Sequence, residues 1–264
     1  MSDILIDGLP PAEADLHYLA LVNYGAYTSF RMEDGGVRGL DLHLQRLDAY
    51  AVDLFGEAVG QDRLRRIVRT ALGERRDAWL RVSLFSPDIW SRTPSAQVRP
   101  KVMTMVAPPP PPLATSVRVQ VRTYGREEAH IKHTAIFGLI RARRLAREAA
   151  FDDALFADAD GVISEGSSWN VGFVQGDQVT WPQAPMLAGV AQSLITQGLG
   201  QVGMTSVTQP VTIDDLPRFE AAFLCNSATP ACPILAIGDQ TFSPASDIIA
   251  RLQAAWLAAP PQPI

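Results

Sequence analysis

Apolar residues in the first part of the chain recur at helical spacing and then alternate with polar residues. The helical stripe advances by four, three, four and three residues, which predicts an amphipathic helix with one buried face. Its members are Leu40, Leu44, Leu47, Ala51 and Leu54. A second helix is predicted from about residue 62 to 72, and the alternation across 79–84 predicts a strand.

The second part of the chain mixes the two periodicities in an irregular order. Valine alternates with Arg and Gln across 117–121, as in a half-buried strand, and a stripe across 136–149 predicts a helix. Residues 154–158 and 162–165 flank Asp160-Gly161 and predict a hairpin. Further apolar runs predict a helix at 189–199, strands at 221–225 and 234–237, and a helix at 245–257. This mixture indicates an α+β, or mixed α/β, fold.

Five consecutive prolines, Pro108 to Pro112, interrupt the pattern between two predicted strands. Proline has no amide hydrogen to donate, so the run cannot join a helix interior or a sheet and should form a stiff connector. We therefore predict two domains. Residues 1–112 form an α/β domain that ends in the proline-rich linker, and residues 113–264 form a second α/β domain that carries Lys132.

Composition narrows the class of protein. The 264 residues are 47% hydrophobic with a net charge of −5, which is typical of a globular chain and does not favour nucleic-acid binding. We find no apolar run near the ~18 residues of a membrane span and no signal peptide. Cys225 and Cys232 are interpreted as buried, reduced thiols of a cytoplasmic protein. The four histidines and two cysteines lack a zinc-binding spacing, so no metal is expected.

Lysine is scarce: of 23 basic residues, only Lys101 and Lys132 are lysine. Arginine stays protonated and cannot act as an amine nucleophile, whereas lysine can lose its proton and form an imine. Lys132 lies between two histidines just before a predicted helix, where positive surroundings and partial burial would lower the pKa of its amine. An ordinary exposed lysine is the alternative, and this pattern alone favours the alternative.

Three further features suggest a ligand site, each with a plain structural alternative. Glu165 shares a predicted strand face with Ile163, so it either finds a cationic partner or lies in solvent at the strand end. Arg46 flanks the buried stripe and either binds an anion or lies on the surface. Residues 189–191 open a helix and residues 226–229 follow a buried strand, where free amides could hold a phosphate.

Seven segments, in this order and spacing, resemble the class IV aminotransferases, the fold-type IV enzymes that use pyridoxal 5′-phosphate (PLP). They are residues 24–28, 43–47, 131–133, 153–156, 164–171, 187–190 and 226–233. The resemblance covers most of the chain, and the proline run falls where such enzymes join their two domains. It implies a two-domain PLP enzyme that forms a homodimer.

The resemblance also implies roles for particular residues. Lys132 would hold PLP as a Schiff base and later move the Cα proton, while Glu165 would keep the pyridine nitrogen protonated. Tyr27 resembles the tyrosine that lines the substrate side in D-amino acid aminotransferases. The implied contacts with the rest of the cofactor are Arg46 and the amides of Val190 and Ala191 with Ser227 for the phosphate, and Leu187 on the ring face.

Departures from the family pattern leave the subgroup open. The segment after Gly189 often reads Gly-Ile-Thr-Arg but here continues with Val190, Ala191 and Gln192, so a hydroxyl and an arginine are missing. Phe137 replaces the tyrosine that branched-chain enzymes place five residues after the Schiff-base lysine, which argues against that subgroup. We find no clear arginine for the substrate carboxylate, and Arg92 is a weak candidate.

We therefore predict a PLP-dependent aminotransferase that acts on a small amino acid or amine and a 2-oxo acid, without a membrane or nucleic-acid partner. One alternative is aminodeoxychorismate lyase, which would use the same Lys132 and Glu165 to release pyruvate and 4-aminobenzoate. A second alternative is a catalytically silent relative that serves as a binding protein. Substrate identity and stereochemical preference are not predicted.

Overall fold

The chain divides into two units by the proximity of its Cα atoms. The first comprises Met1–Pro110, Ile131–Ala135 and Pro261–Ile264, and the second comprises Pro111–His130 and Ile136–Pro260. This computed structural model describes residues 3–92, 94, 98–111 and 115–264.

Regular elements occupy most of the described chain. In chain order they are β1 (Asp3–Ile6), α1 (Glu13–Leu21), β2 (Gly25–Met32), β3 (Gly36–Arg38), α2 (Leu40–Phe55), α3 (Gln61–Leu72), β4 (Ala78–Phe85), β5 (Lys101–Ala107), β6 (Val117–Thr123), α4 (Phe137–Glu148), β7 (Asp153–Ala157), β8 (Ile163–Gly166), β9 (Asn170–Gln175), β10 (Gln178–Pro182), α5 (Val190–Gly198), β11 (Thr205–Gln209), β12 (Ala221–Cys225), β13 (Cys232–Ile237), β14 (Gln240–Thr241), α6 (Ser246–Leu257) and β15 (Pro261–Pro263). Short 3₁₀ turns cover Leu199–Val202 and Ile213–Arg218.

The first unit is built on an antiparallel sheet with the strand order β1-β5-β4-β2. The apolar stripe of α2 packs into the core of this unit, with Leu40, Leu44, Leu47 and Ala51 fully buried. Leu54 is partly buried against the same core. The helix and its buried face are therefore confirmed as predicted.

The second unit is built on a mixed sheet with the strand order β11-β10-β9-β12-β13-β6-β7-β8. Strand β6 runs parallel to β7 and β13, and β10 runs parallel to β11, while the remaining pairs on this path are antiparallel. The predicted hairpin is present as the β7–β8 pair, with Gly161 at a φ of 80° in its turn. The mixed α/β fold class is confirmed.

The division into units differs from the predicted boundary at the lysine segment. We expected Lys132 in the second domain, but Ile131–Ala135 groups with the first unit. The physical reason is hydrogen bonding with β2: Tyr27 N donates to Lys132 O at 2.9 Å, and Ala26 bridges His133. Strand β15 likewise pairs with β3.

The 112/113 boundary itself stays a prediction. Pro112 and Leu113, the end of the predicted linker, lie outside the described residues.

The interpretation of the two cysteines can be compared with the structure. Cys225 and Cys232 are both buried thiols outside any disulfide, as interpreted, and burial raises the pKa of the Cys232 thiol to about 11. The other lysine of the chain, Lys101, is paired with a buried carboxylate: its Nζ lies 2.7 Å from Oδ1 of Asp15. Among the described helices, none is long and apolar enough to cross a membrane.

Close packing of α5 against α6 predicts a sharp difference between two glycines. A Cβ at Gly198 would lie 2.0 Å from the carbonyl oxygen of Ala255, whereas a Cβ at Gly200 would meet nothing within 4 Å. We expect Gly198→Ala to lower the free energy of unfolding by ~1–3 kcal/mol through overpacking. Gly200→Ala should leave it unchanged or slightly higher. Urea denaturation of both variants measures the difference, and equal stability would contradict the packing described.

Candidate active site

Lys132 is held beside β2 through its backbone. The Lys132 carbonyl accepts the amide of Tyr27, and the amide of Thr134 donates to Gly25 O at 2.9 Å. The half-buried Lys132 side chain places Nζ 5.0 Å from the centroid of the Tyr27 ring. The structure therefore brings together two of the predicted catalytic residues.

Arg46 belongs to a hydrogen-bonded group that joins α2 to β2. Its Nη2 donates to Thr28 Oγ1 at 2.6 Å, and the same hydroxyl lies 2.6 Å from Nδ1 of His43. His43 and Thr28 are both buried, and the Phe30 ring packs 5.0 Å from the imidazole, centroid to centroid. Since Thr28 accepts from Arg46, its own proton is available to His43.

The buried imidazole of His43 is electrostatically unusual. Its pKa lies well below 6.5, first because burial disfavours the charged ring, and then because Arg46 and Lys132 are positive neighbours. His43 is therefore neutral at pH 7, with two cationic side chains close enough to influence it. We did not predict a role for His43 or Thr28, although the spacing of His43 from Leu40 and Leu47 on α2 placed it on the buried stripe.

Arg81 is a further cation in this group that the sequence did not reveal. Strand β4 pairs with β2, and the Arg81 guanidinium lies 3.6 Å from the centroid of the Tyr27 ring. Within the first unit, Tyr27 therefore contacts both Lys132 and Arg81. Arg92, the weak candidate from the sequence, lies exposed in a turn.

Glu165 lies on β8 with its side chain buried in the second unit. Arg126 Nε is 3.4 Å from Glu165 Oε1, and both side chains are almost fully enclosed. The amide of Leu187 donates to Glu165 Oε2 at 3.3 Å. A buried carboxylate requires such partners. Of the two alternatives left open by the sequence, the structure shows the one with a cationic partner, and Arg126 itself was not predicted.

Helix α5 begins at Val190, next to the predicted start at residue 189, and follows closely after Leu187, whose amide binds Glu165. Asn170 Nδ2 donates to Leu187 O at 2.8 Å, and a Cβ at Gly189 would lie only 2.0 Å from Asn170 Oδ1. Gly189 is the N-cap and supplies no side-chain cap, so Val190 and Ala191 begin a helix whose first amides have no capping side chain. Such amides bind anions well.

Ser227 lies in a tight turn after β12. Asn226 Oδ1 accepts the amides of Ala228 and Thr229 at 3.0 and 2.9 Å, which shapes the backbone around Ser227. Ser227 is half-buried at the tip of this turn. The second unit therefore contains Glu165, Leu187, Val190, Ala191 and Ser227, whereas Lys132, Tyr27 and Arg46 lie in the first.

Comparison with known proteins now identifies the family. Residues 25–237 match the family model described as amino-transferase class IV. The chain belongs to this family. The match spans both units and includes every predicted site residue, and class IV aminotransferases are enzymes that use PLP.

Solved structures of other class IV aminotransferases share the fold. A branched-chain amino acid aminotransferase from Escherichia coli is 19% identical, with a TM-score of 0.81, over 97% of this chain and 93% of that one. A fold IV-transaminase from Curtobacterium pusillum is 23% identical, with a TM-score of 0.75, over 89% and 84%. A hypothetical aminotransferase from Mycobacterium tuberculosis in a PLP-bound form is 20% identical, with a TM-score of 0.78, over 97% and 99%.

The residues of this class IV aminotransferase are chemically suited to PLP. Lys132 provides an amine for an aldehyde, and Arg46 and the start of α5 suit a phosphate. The buried Glu165 suits a basic ring nitrogen. The close approach of Gly189 to Asn170 leaves no room for a side chain at the start of α5. Within the described residues, no cluster of three or more His, Cys, Asp or Glu side chains forms a metal site.

The depressed pKa of His43 predicts a specific dependence of stability on pH. Because the folded protein keeps His43 neutral, the unfolded chain binds one more proton below pH 6.5. The stability contributed by neutral His43 is complete above that pH and falls by ~1.4 kcal/mol per pH unit as the pH drops towards the folded pKa.

His43→Asn removes this titration, so its free energy of unfolding should depend less steeply on pH between 6.5 and 5. Denaturation of variant and wild type in the same cofactor state measures both slopes. Identical slopes would mean that His43 is already protonated in the folded protein.

Proposed function

We propose that this protein is a PLP-dependent aminotransferase that transfers an amino group between a small amino acid or amine and a 2-oxo acid. The observation that carries the proposal is the position of Lys132. The chain has two lysines, and this one lies half-buried against Tyr27 with Arg46 also close to the neutral His43. An amine in such surroundings suits covalent attachment to a carbonyl.

In this proposal, the first unit supplies the lysine that bonds PLP covalently and the arginine that binds its phosphate. Lys132 bonds the cofactor through Nζ, and Arg46 binds its phosphate. Thr28 orients the Arg46 guanidinium by accepting one of its hydrogen bonds. The neutral His43 adds no third positive charge beside Lys132 and Arg46, and its ring holds the Thr28 hydroxyl that Arg46 contacts.

The second unit supplies the groups for the ring and the remaining phosphate contacts. Glu165 would hold a proton on the ring nitrogen, and Leu187 would pack against the ring. The amides of Val190 and Ala191, together with Ser227, bind the phosphate oxygens. Support comes from the buried position of Glu165 and from the glycine N-cap of α5.

Proton transfer in the proposed reaction is the task of Lys132. When bound, PLP supplies an electron-accepting ring that stabilises the negative charge left on the substrate carbon. Lys132 Nζ takes the proton from the substrate Cα and returns it on the product side. Glu165 keeps the ring nitrogen protonated throughout, because a buried carboxylate favours a positive neighbour.

The substrate carboxylate is assigned to Arg81. This guanidinium stacks on the Tyr27 ring, and Lys132 Nζ lies 5.0 Å from the centroid of the same ring, so one tyrosine joins the arginine to the amine. Arginine suits carboxylates because it donates two parallel hydrogen bonds. The assignment replaces the exposed Arg92 as the candidate for this role.

Absorbance of the purified protein tests the central proposal. With PLP, wild type should show a visible band that borohydride abolishes, and mass spectrometry should then locate the reduced cofactor on the peptide containing Lys132. Lys132→Ala should lack the band, because Lys132 supplies the amine that lies beside Tyr27. Lys101→Ala is the matched control and should keep it.

A wild type that stays colourless with added PLP would contradict both enzyme proposals and leave the catalytically silent relative. A band that survives in Lys132→Ala would contradict the assignment of this lysine.

Kinetics of the Arg81→Gln variant test the carboxylate assignment. Losing a charge-assisted pair costs ~1.5–3 kcal/mol, so KM for a carboxylate substrate should rise about 10- to 100-fold. The value of kcat should change less, and Arg81→Lys should restore part of the affinity. Arg31→Gln, which removes an arginine paired with Glu33 on the same sheet, is the control. An unchanged KM in Arg81→Gln would refute the assignment.

Product analysis separates the aminotransferase from the lyase alternative. Two features resemble the lyases: Lys132-His133, and Cys225-Asn226 with Pro230 and Pro233. The segment 165–168 with Asn170-Val171 instead resembles the D-amino acid aminotransferases. Incubation with aminodeoxychorismate and assay for 4-aminobenzoate detects that activity. Conversion of the bound cofactor by D-alanine or L-glutamate instead favours the aminotransferase.

A homodimer and a cytoplasmic location complete the proposal. The dimer follows from the family, and light scattering of the purified protein measures it. The location is supported by the two free, buried cysteines, which suit a reducing compartment.

A further inference from the structure

A buried carboxylate that has no role in the proposed chemistry lies at the start of β7. Asp153 is only 4% exposed. Its Oδ1 accepts the Ser167 hydroxyl at 2.6 Å and the amide of Ala154 at 2.8 Å. Its Oδ2 accepts the indole Nε1 of Trp169 at 3.1 Å and lies 3.4 Å from Arg143 Nε.

The side chains bound by Asp153 belong to the turn that joins β8 to β9. Ser167 and Trp169 lie within this turn, and the Ser167 amide donates to Ala154 O at 3.2 Å. The indole covers Gly166 so closely that a Cβ there would lie 2.0 Å from the ring. Asp153 therefore binds two side chains of the four-residue turn Gly166–Trp169, those of Ser167 and Trp169.

The residues on either side of this turn both bind the backbone of Leu187. Glu165 precedes the turn and accepts the Leu187 amide. Asn170 follows the turn, and its Nδ2 donates to the Leu187 carbonyl. Leu187 lies two residues before the Gly189 N-cap of α5. The turn thus fixes the spacing between Glu165 and Asn170, and these two fix the start of α5.

A general packing role does not require a carboxylate at this position. Burying an ionised group costs free energy, and the partly exposed Arg143 at 3.4 Å is a modest counter-charge. Hydroxyl, indole and amide donors converge on the two oxygens of Asp153, which an anion satisfies better than an amide or an apolar side chain. Such a network specifies one turn geometry.

We propose that Asp153 is a positioning residue that sets Glu165 and the start of α5 through the Gly166–Trp169 turn. The proposal depends on the PLP assignment above, since Glu165 is positioned for the ring nitrogen. The Asp153 carboxylate binds Ala154, Ser167, Trp169 and Arg143, none of which is assigned to substrate or cofactor. Its loss should therefore impair recognition of the ring nitrogen more than it impairs folding.

Equilibrium binding of two probes to the cofactor-free protein tests this. The probes are PLP and an analogue with carbon in place of the ring nitrogen. Wild type should prefer PLP, because only PLP offers a nitrogen to Glu165. Asp153→Asn presents an amide NH₂ to donors of the turn, so we expect the preference for PLP to fall about tenfold.

Asp15→Asn is the matched control. Asp15 is equally buried and is paired with a partly exposed cation, Lys101, but it lies in the first unit on α1. This variant should lose stability and keep the full preference for PLP. If both variants lose the preference equally, or if Asp153→Asn keeps it, the proposal is overturned while the PLP assignment stands.

Two further outcomes are covered by the design. Wild type that binds neither probe overturns the proposed function itself. If Asp153→Asn does not fold, Ser167→Ala decides, because it removes one hydrogen bond to Asp153 and leaves the charge in place. Ser167→Ala should lower the preference for PLP severalfold, and an unchanged preference would overturn the proposal.

Discussion

The polar cluster of the first unit depends on an uncharged His43 side chain. Thr28, Arg46 and Lys132 approach the same buried imidazole, from β2, from α2 and from the segment hydrogen-bonded to β2. A protonated ring would add a third positive charge to an enclosed region with two already present. Burial removes that charge, so Arg46 and Lys132 are the two positive neighbours of an uncharged ring.

Elements with one buried and one exposed face could be predicted from the sequence. Elements whose two faces are alike, both apolar or both polar, could not. The stripe of α2 and the alternation of β4 identified both elements, because solvent on one side imposes a period. Strand β9 is buried along nearly its whole length, so its residues do not alternate. Strand β11 is polar and belongs to the sheet through its parallel pairing with β10, which local sequence does not encode.

The candidate site was predictable where a single residue type carries the chemistry. An imine requires an amine, so the family segments and the scarcity of lysine both indicate Lys132. Arg81 and Arg126 were missed because their partners are distant in sequence: the β2–β4 pairing brings Arg81 to Tyr27, and folding brings Arg126 to Glu165. Asp153 was recognised as part of a family segment, but its hydrogen-bonding partners appear only in the folded chain.

The pairing of the lysine segment with β2 has a consequence for the order of synthesis. The first unit lacks Ile131–Ala135 until the ribosome has passed the start of the second, and β15 joins β3 only after residues up to 263 have been made. Domains usually fold as they emerge, with the N-terminal one first. Here the nascent first unit must wait, with the edge of β2 unpaired at Tyr27, for the strand segment that delivers its lysine.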